Sequence, residues 1–301
     1  MPTCYAKSQW EEAIMLMRGR VVLMCLCLLV CGLCWETGYR ARVVRPAPLP
    51  VTPAPSPVVT ADFAVPVLMY HRICNLTPAE ECSPLLRDLT VAPTAFDQQM
   101  AYLAANGFYV VTVEEIADAL REHRSLPEKA IAITMDDGYR DNFSDAFPIL
   151  QRYHFPATEF LVTATLQTPG HLAWRDIAEM RPLFNFQSHT VHHFDLTVLP
   201  PAELIAELAG AKATLEAALR VSITHLAYPS GAYNDTVMAA ARACGYQFAW
   251  KKGGGPVTPR DDPYMLPRVR VRGDTTMEDF ARLAWSGVYR ERMGAADTAK
   301  T

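Results

Sequence analysis

The 301-residue sequence predicts an α/β fold in which a parallel sheet is wrapped by helices. Two observations lead there. Apolar, β-rich runs bounded by turn signals recur at 66–70 (PVLMY), 108–112 (FYVVT), 130–135 (AIAITM), 157–163 (ATEFLVT), 184–188 (FNFQS), 223–228 (ITHLAY) and 246–250 (YQFAW). Helix-like stretches lie between them at 94–105, 113–123, 141–153, 173–181, 201–219 and 233–243. Such alternation implies parallel strands joined by helical crossovers. Seven strand units favour closure into a barrel, although periodicity alone leaves an open sheet available. In either architecture the chemistry belongs at the C-terminal ends of the strands.

The segments before this body differ in character. Residues 1–60 carry a net charge of +3 and the remaining 241 residues carry −7. A total of −4 with no long basic run excludes a nucleic-acid binder that works by neutralising phosphates. Residues 1–20 read as a positively charged n-region ending in Arg18 and Arg20. Residues 21–35 (VVLMCLCLLVCGLCW) are fifteen uncharged residues, read as a signal or membrane-anchor segment. The run is apolar on every face, unlike an amphipathic core helix, and no small-residue cleavage pattern closes it, which favours an uncleaved anchor. Residues 36–61 form a Pro-rich linker, with six prolines between Pro46 and Pro57, suited to an extended, semi-rigid spacer. The folded domain is expected over 62–290, followed by a polar tail at 291–301. An envelope location follows, on the periplasmic or extracytoplasmic side, with the membrane engaged through the N-terminal segment. Nothing in the sequence points to a protein partner.

Within the body, Pro200-Pro201 opens the long stretch 201–219, as proline does at a first helical turn. Gly107 and Gly245 follow two predicted helices where a left-handed C-cap belongs. Cys74 and Cys82 flank a short polar loop and could pair in an oxidising compartment.

Three constellations carry chemistry, each at a predicted strand exit. In AITMDDG, 132–138, adjacent carboxylates Asp136 and Asp137 precede Gly138, which permits a sharp turn. Neighbouring carboxylates ionise together only beside a cation, so a metal is the physical expectation. In FQSHTVHHFDL, 186–196, His189 and His193 stand four apart and are expected on one face of a helical turn, with His192 off that face. Two imidazoles added to a carboxylate make a three-ligand site with open positions. In LAYPSGAYND, 226–235, a Pro-Gly turn around Pro229 and Ser230 could aim backbone N–H groups at a developing oxyanion.

Together with PVLMYHRI near the start, CGY after the third motif and YMLPRVRV late in the chain, these segments resemble the polysaccharide deacetylases of the NodB-homology type, carbohydrate esterase family four. The MYH and LPRV elements are similar to the branch containing poly-N-acetylglucosamine deacetylases. The resemblance implies an irregular (β/α) barrel and metal-assisted hydrolysis of an N-acetyl amide on an amino sugar. It implies Asp137, His189 and His193 as metal ligands, Asp136 as general base and the Ser230 N–H as an oxyanion donor. The implied cofactor is one divalent ion, zinc foremost; cobalt, nickel or iron would also suit this donor set. The implied partner is an N-acetylated polysaccharide.

The sequence departs from that pattern. Met135 replaces a usual Phe, and Ser230 a common Tyr. Ala227 stands where many members carry an arginine supporting the catalytic Asp, and Arg268 is the candidate substitute. Glu159, where an aromatic is common, is expected to face solvent. No histidine follows His225, so the late histidine that serves many members as general acid is missing. His123, His154 and His171 are expected away from the strand exits, and His71, directly after PVLMY, is the candidate acid. Alternatives that keep the barrel are a catalytically silent carbohydrate-binding domain and a deacetylase of peptidoglycan or chitin oligomers.

Overall fold

The computed structural model describes residues 63–288. The n-region, the apolar segment, the whole of the Pro-rich linker and the polar tail lie outside the described residues. Among the described residues no helix is long and apolar enough to cross a membrane.

Ten strands are present among the described residues: β1 (Val67–Tyr70), β2 (Arg72–Ile73), β3 (Thr90–Val91), β4 (Tyr109–Val111), β5 (Ala130–Asp136), β6 (Ala157–Leu161), β7 (Phe184–Ser188), β8 (His225–Ala227), β9 (Phe248–Lys252) and β10 (Leu266–Arg270). The α-helices are α1 (Pro84–Leu89), α2 (Pro93–Ala105), α3 (Val113–Glu122), α4 (Phe147–Tyr153), α5 (Trp174–Met180), α6 (Pro201–Leu219), α7 (Asp235–Ala243) and α8 (Met277–Ser286). Strands β5 to β10 pair in sequence order, all parallel, and β1 closes the ring by pairing with both β10 and β5. The result is the expected barrel, of seven strands. It is irregular at β5. Ala132 pairs with Val67 of β1 on one edge and Val111 of β4 on the other, whereas Thr134 pairs with Met69 and with Thr158 of β6. One edge of β5 is thus shared by β4 below and β6 above.

Alternate strand residues fall into two apolar clusters, as the two-residue period of a strand requires. Leu68, Tyr70, Ile131, Ile133 and Val269 pack with Phe96, Leu150, Leu208 and Phe280 of the surrounding helices. Val67, Ala132, Phe160, Ala227, Trp250 and Leu266 form the other cluster, the barrel interior, which Val113 and Ile116 of α3 also join. The small alanines leave room for Trp250 and Phe160 in a narrow barrel.

Local signals in the sequence hold well. Helix α6 has the bounds its proline start suggests, and Gly107 and Gly245 take left-handed conformations (φ 69° and 83°). Thr112 and Glu115 cap α3 reciprocally. The predicted helix 141–153 instead begins with a π-helical turn, Asn142–Ala146, before α4. Strand β10 is absent from the seven predicted runs because Pro267 interrupts it and Arg268 and Arg270 occupy its alternate positions. Both are features of non-strand sequence.

Candidate active site

The interior face of β5 ends at Asp136, after which the chain leaves the strand abruptly. Asp137 and Gly138 both take positive φ (76° and 72°). Glycine does so freely, and a Cβ at Gly138 would lie 3.0 Å from Leu161 Cδ2. Asp137 adopts this conformation only because its surroundings hold it. Its N–H donates to Phe160 O at 3.0 Å, the Leu172 N–H donates to Gly138 O at 2.9 Å, and the Gly138 N–H donates to Glu159 Oε1 at 3.0 Å. Glu159 therefore does not face solvent. It is fully buried on the helix side of β6, where Asn142 Nδ2 lies 3.2 Å from each of its oxygens. Burial pushes its carboxyl well above the carboxylate range.

His189 follows β7. Its Nδ1 lies 2.8 Å from Ala227 O, so the N–H sits on Nδ1 and Nε2 keeps a lone pair. Burial lowers its pKa, which favours that neutral form. Nε2 is 3.6 Å from Asp137 Oδ1 and 3.9 Å from Asp136 Oδ2, and His193 Nε2 is 3.7 Å from Asp137 Oδ1. Asp137, His189 and His193 form the one group among the described residues whose ligand atoms gather this way, all within 4.8 Å of one another. Their spacing is too long for hydrogen bonds. It is close to the roughly 3.3 Å edge of a tetrahedral shell with bonds of about 2.0–2.1 Å. One carboxylate and two neutral imidazoles therefore fit a divalent ion in both spacing and donor type.

The histidines do not share a helical turn. Residues 189–193 form a loop with Thr190 and His193 at positive φ (69° and 60°). Side chains supply the acceptors that a helix would have provided from its own carbonyls. Buried Glu207 accepts from the N–H groups of Val191 and His192 at 3.1 and 2.8 Å, and Thr190 Oγ1 accepts from the His193 N–H at 3.1 Å. His192 Nδ1 lies 2.6 Å from Glu207 Oε1.

Arg268, from β10, reaches Asp136 as a fork. Nη1 donates to Oδ1 at 2.6 Å and Nη2 to Oδ2 at 2.7 Å, with both residues buried. Burial alone would raise the Asp136 carboxyl. The Arg268 charge, with His189 and then His71, outweighs it and holds the pKa down at about 2. His71 shares the same cleft, directly after β1, and its buried Nδ1 has no partner. Burial pushes it down to about 4, against the attraction of Asp136 and Asp137; Arg270 and Arg268 act in the same direction as burial.

Pro229, Ser230 and Gly231 form the tip of a turn after β8, closed by the Gly231 N–H donating to Tyr228 O at 2.8 Å. Ser230 takes the left-handed position (φ 56°, ψ 5°) that such a turn usually gives to glycine. Gly231 must lack a side chain, since a Cβ would stand 2.6 Å from Lys252 Cβ.

Asp136, Asp137, His189, His193, Arg268, His71 and Ser230 line one open cleft of about 520 Å³. His171 also lines it, contrary to the sequence reading, as does His192, which stays outside the ligand set as expected. His171 arrives because 170–172 folds back on the loop after β5. There the Arg140 N–H donates to Gly170 O, and the His171 ring stacks on Tyr139 at 5.3 Å. No local pattern announces that long-range return. Cys74 and Cys82 are free thiols, and Cys82 Sγ lies 3.5 Å from Pro78 O.

The profile of the family described as polysaccharide deacetylase matches residues 123–249. YxkH of Bacillus subtilis strain 168, assigned to the polysaccharide deacetylases, is 32% identical over 230 residues, covering 76% of this chain and 77% of that protein. The poly-β-1,6-N-acetyl-D-glucosamine N-deacetylase of Staphylococcus epidermidis is 28% identical over 249 residues, 75% of this chain and 84% of that one. Among solved structures, the Streptococcus pyogenes deacetylase PplD in complex with acetate superposes with a TM-score of 0.68 at 30% identity, covering 75% of this chain and 98% of the other.

Proposed function

The chain belongs to the polysaccharide deacetylase family, and on that premise we propose that it hydrolyses N-acetyl groups of amino sugars in a cell-envelope or extracellular polysaccharide. In this reading Asp137, His189 and His193 hold a divalent ion, zinc foremost. The observation that carries the proposal is the ionised Asp136 beside that ligand set, clamped by Arg268. The relative named for poly-β-1,6-N-acetyl-D-glucosamine supports a polymer of N-acetylated amino sugar as substrate. The apolar run 21–35 supports an envelope location and a membrane contact.

A bound ion would polarise the acetyl carbonyl and acidify water at neutral pH. The chain's own residues move the protons. Asp136 stays ionised because of Arg268 and accepts a proton from the attacking water. The departing nitrogen needs a proton in turn. His71 is neutral at pH 7, so it acts by taking that proton from Asp136 and passing it to the amine. The water's hydroxyl ends on the acyl carbon, its proton on the amine, and acetic acid leaves and ionises to acetate. The Ser230 N–H donates to the oxyanion as it develops.

Acetate release by the full chain from poly-N-acetylglucosamine, chitin oligomers and peptidoglycan, with and without a chelator, tests the proposal. Release from the first, lost on chelation and restored by zinc, is expected. No stoichiometric metal and no release from any glycan would instead favour a silent carbohydrate-binding barrel. His71→Ala should slow amide hydrolysis far more than hydrolysis of an acetyl ester with a good leaving group, which departs without protonation. Equal losses on both substrates would make His71 a structural residue.

A further inference from the structure

A fully buried carboxyl group facing away from the barrel interior calls for an explanation, because a buried polar group is disfavoured unless its surroundings supply hydrogen bonds. Glu159 has that place. It sits on β6 between Met135 of β5 and Phe186 of β7 in register, on the opposite pleat from Phe160. Among the described residues no cation pairs with it. Its partners are the Gly138 N–H and the amide of Asn142, the first residue of the π-helical turn. Both belong to the segment that leaves β5. Gly138 adjoins Asp137, whose positive φ swings its carboxylate off the strand direction and towards His189 and His193.

We propose that Glu159 is a positioning residue for the metal centre: by accepting from Gly138 and Asn142 together, it fixes the left-handed turn that presents Asp137 to the two histidines. The inference rests on the reading of Asp137, His189 and His193 as ligands. The role differs from the usual outer-shell contact, in which the partner touches the ligand's own side chain. Here the hold is on the backbone one residue further along, and so it acts on where the ligand's Cα–Cβ bond points. An aromatic side chain at 159 could fill the same volume but would offer the Gly138 N–H no acceptor.

The test is Co²⁺ binding by the full chain, followed by visible absorption and calorimetry at a temperature well below every variant's melting midpoint. Glu159→Leu removes the acceptor and should weaken Co²⁺ binding by about 10–100-fold with an altered spectrum. Glu159→Gln keeps an acceptor oxygen in the same shape and should bind within about threefold of the parent chain. In the deacetylation assay kcat should follow metal affinity, with KM unchanged. Should Glu159→Leu fail to fold, Asn142→Ala decides, since it leaves the carboxylate in place with one donor fewer and should give a smaller loss in the same direction. Folded Glu159→Leu, or Asn142→Ala in its stead, binding Co²⁺ with parental affinity and spectrum would overturn the proposal. A parent chain that binds no Co²⁺ would overturn the ligand reading itself, and this inference with it.

Discussion

His189 follows β7 and His225 opens the neighbouring β8, and each has a carboxylate nearby. At the cleft, His189 Nδ1 meets Ala227 O, Asp136 lies 3.9 Å from its Nε2, and Arg268 grips Asp136 from the far side. One pleat below, His225 Nδ1 accepts from Trp250 Nε1 at 3.0 Å, and Glu114 Oε1 stands 3.8 Å from its Nε2. Gln187 donates to Glu114 at 2.9 Å, and Glu114 Oε2 is buried without a partner. The residue types match, but the electrostatics are opposite. Arg268 outweighs burial to hold Asp136 at about 2, whereas burial carries Glu114 up to about 7 and His225 down to about 3. A single guanidinium therefore separates a carboxylate kept charged from one that neutral packing can accept. The lower group also lacks a second histidine and the turn that brings Asp137 forward, so it gathers no ligand set.

The contrast is broken most completely by emptying the upper group. Asp137→Ala or His189→Ala should abolish metal binding and activity while the fold survives, because each removes one of the three proposed protein ligands. Metal content of the purified variants measures this, and full occupancy in either would show the assignment to be wrong. Asp136→Asn should lower turnover by about 10²–10⁴-fold with metal content nearly unchanged. If metal were lost as well, Asp136 would be a ligand and not the base.

Arg268→Met turns the upper carboxylate into a version of the lower one. Breaking a buried pair should cost about 3–5 kcal/mol of stability, read from denaturant midpoints. The Asp136 carboxyl should then titrate at higher pH, and the acidic limb of the rate profile should move upward with it. An unmoved limb would mean that Asp136 does not set it.

The smallest effect concerns the lower pair. Glu114, raised from 4.5 to about 7, binds a proton more readily when folded, so its contribution falls as pH rises through that window. His225, lowered from 6.5 to about 3, does the reverse, and its contribution is lost as pH falls from 6.5 to 3. The two slopes oppose each other between about 4.5 and 6.5. Glu114→Gln should remove the first slope and raise stability at pH 8 relative to pH 5. The side chain is 32% exposed, and with solvent screening the gain is about 1 kcal/mol. Denaturation midpoints at the two pH values measure it, and an unchanged difference would mean Glu114 is solvated.

Legibility in the sequence followed the range of the interactions. The strands were readable because each is a short apolar run whose pleat alternates between two cores. Asp136, Asp137, His189 and His193 were readable because they stand at strand exits, inside motifs a few residues long. Arg268 could be named only through the alanine at 227, since nothing near LPRV states which carboxylate it would meet. The loop of 189–193 was misread as helical because its capping group, Glu207, arrives from α6, and the four-residue spacing suits a helix equally well. Glu159 was misread because a lone acid in a β-rich run looks solvent-facing until Asn142 and Gly138 are seen against it.

By itself the sequence determined the alternation of strands and helices, the helix starts and glycine caps, and the residue types able to hold a metal, all of which depend on neighbours a few positions away. Tertiary structure alone decided that β10, despite Pro267, closes the ring against β1, and that Asp136 is charged while Glu114 is pushed towards neutrality. It also decided that a buried glutamate supports the turn carrying Asp137. The physical reason is common to all three: ring closure, ion pairing and burial are set by groups distant in sequence, and the free energy of a charge or an unpaired N–H depends on what faces it in space.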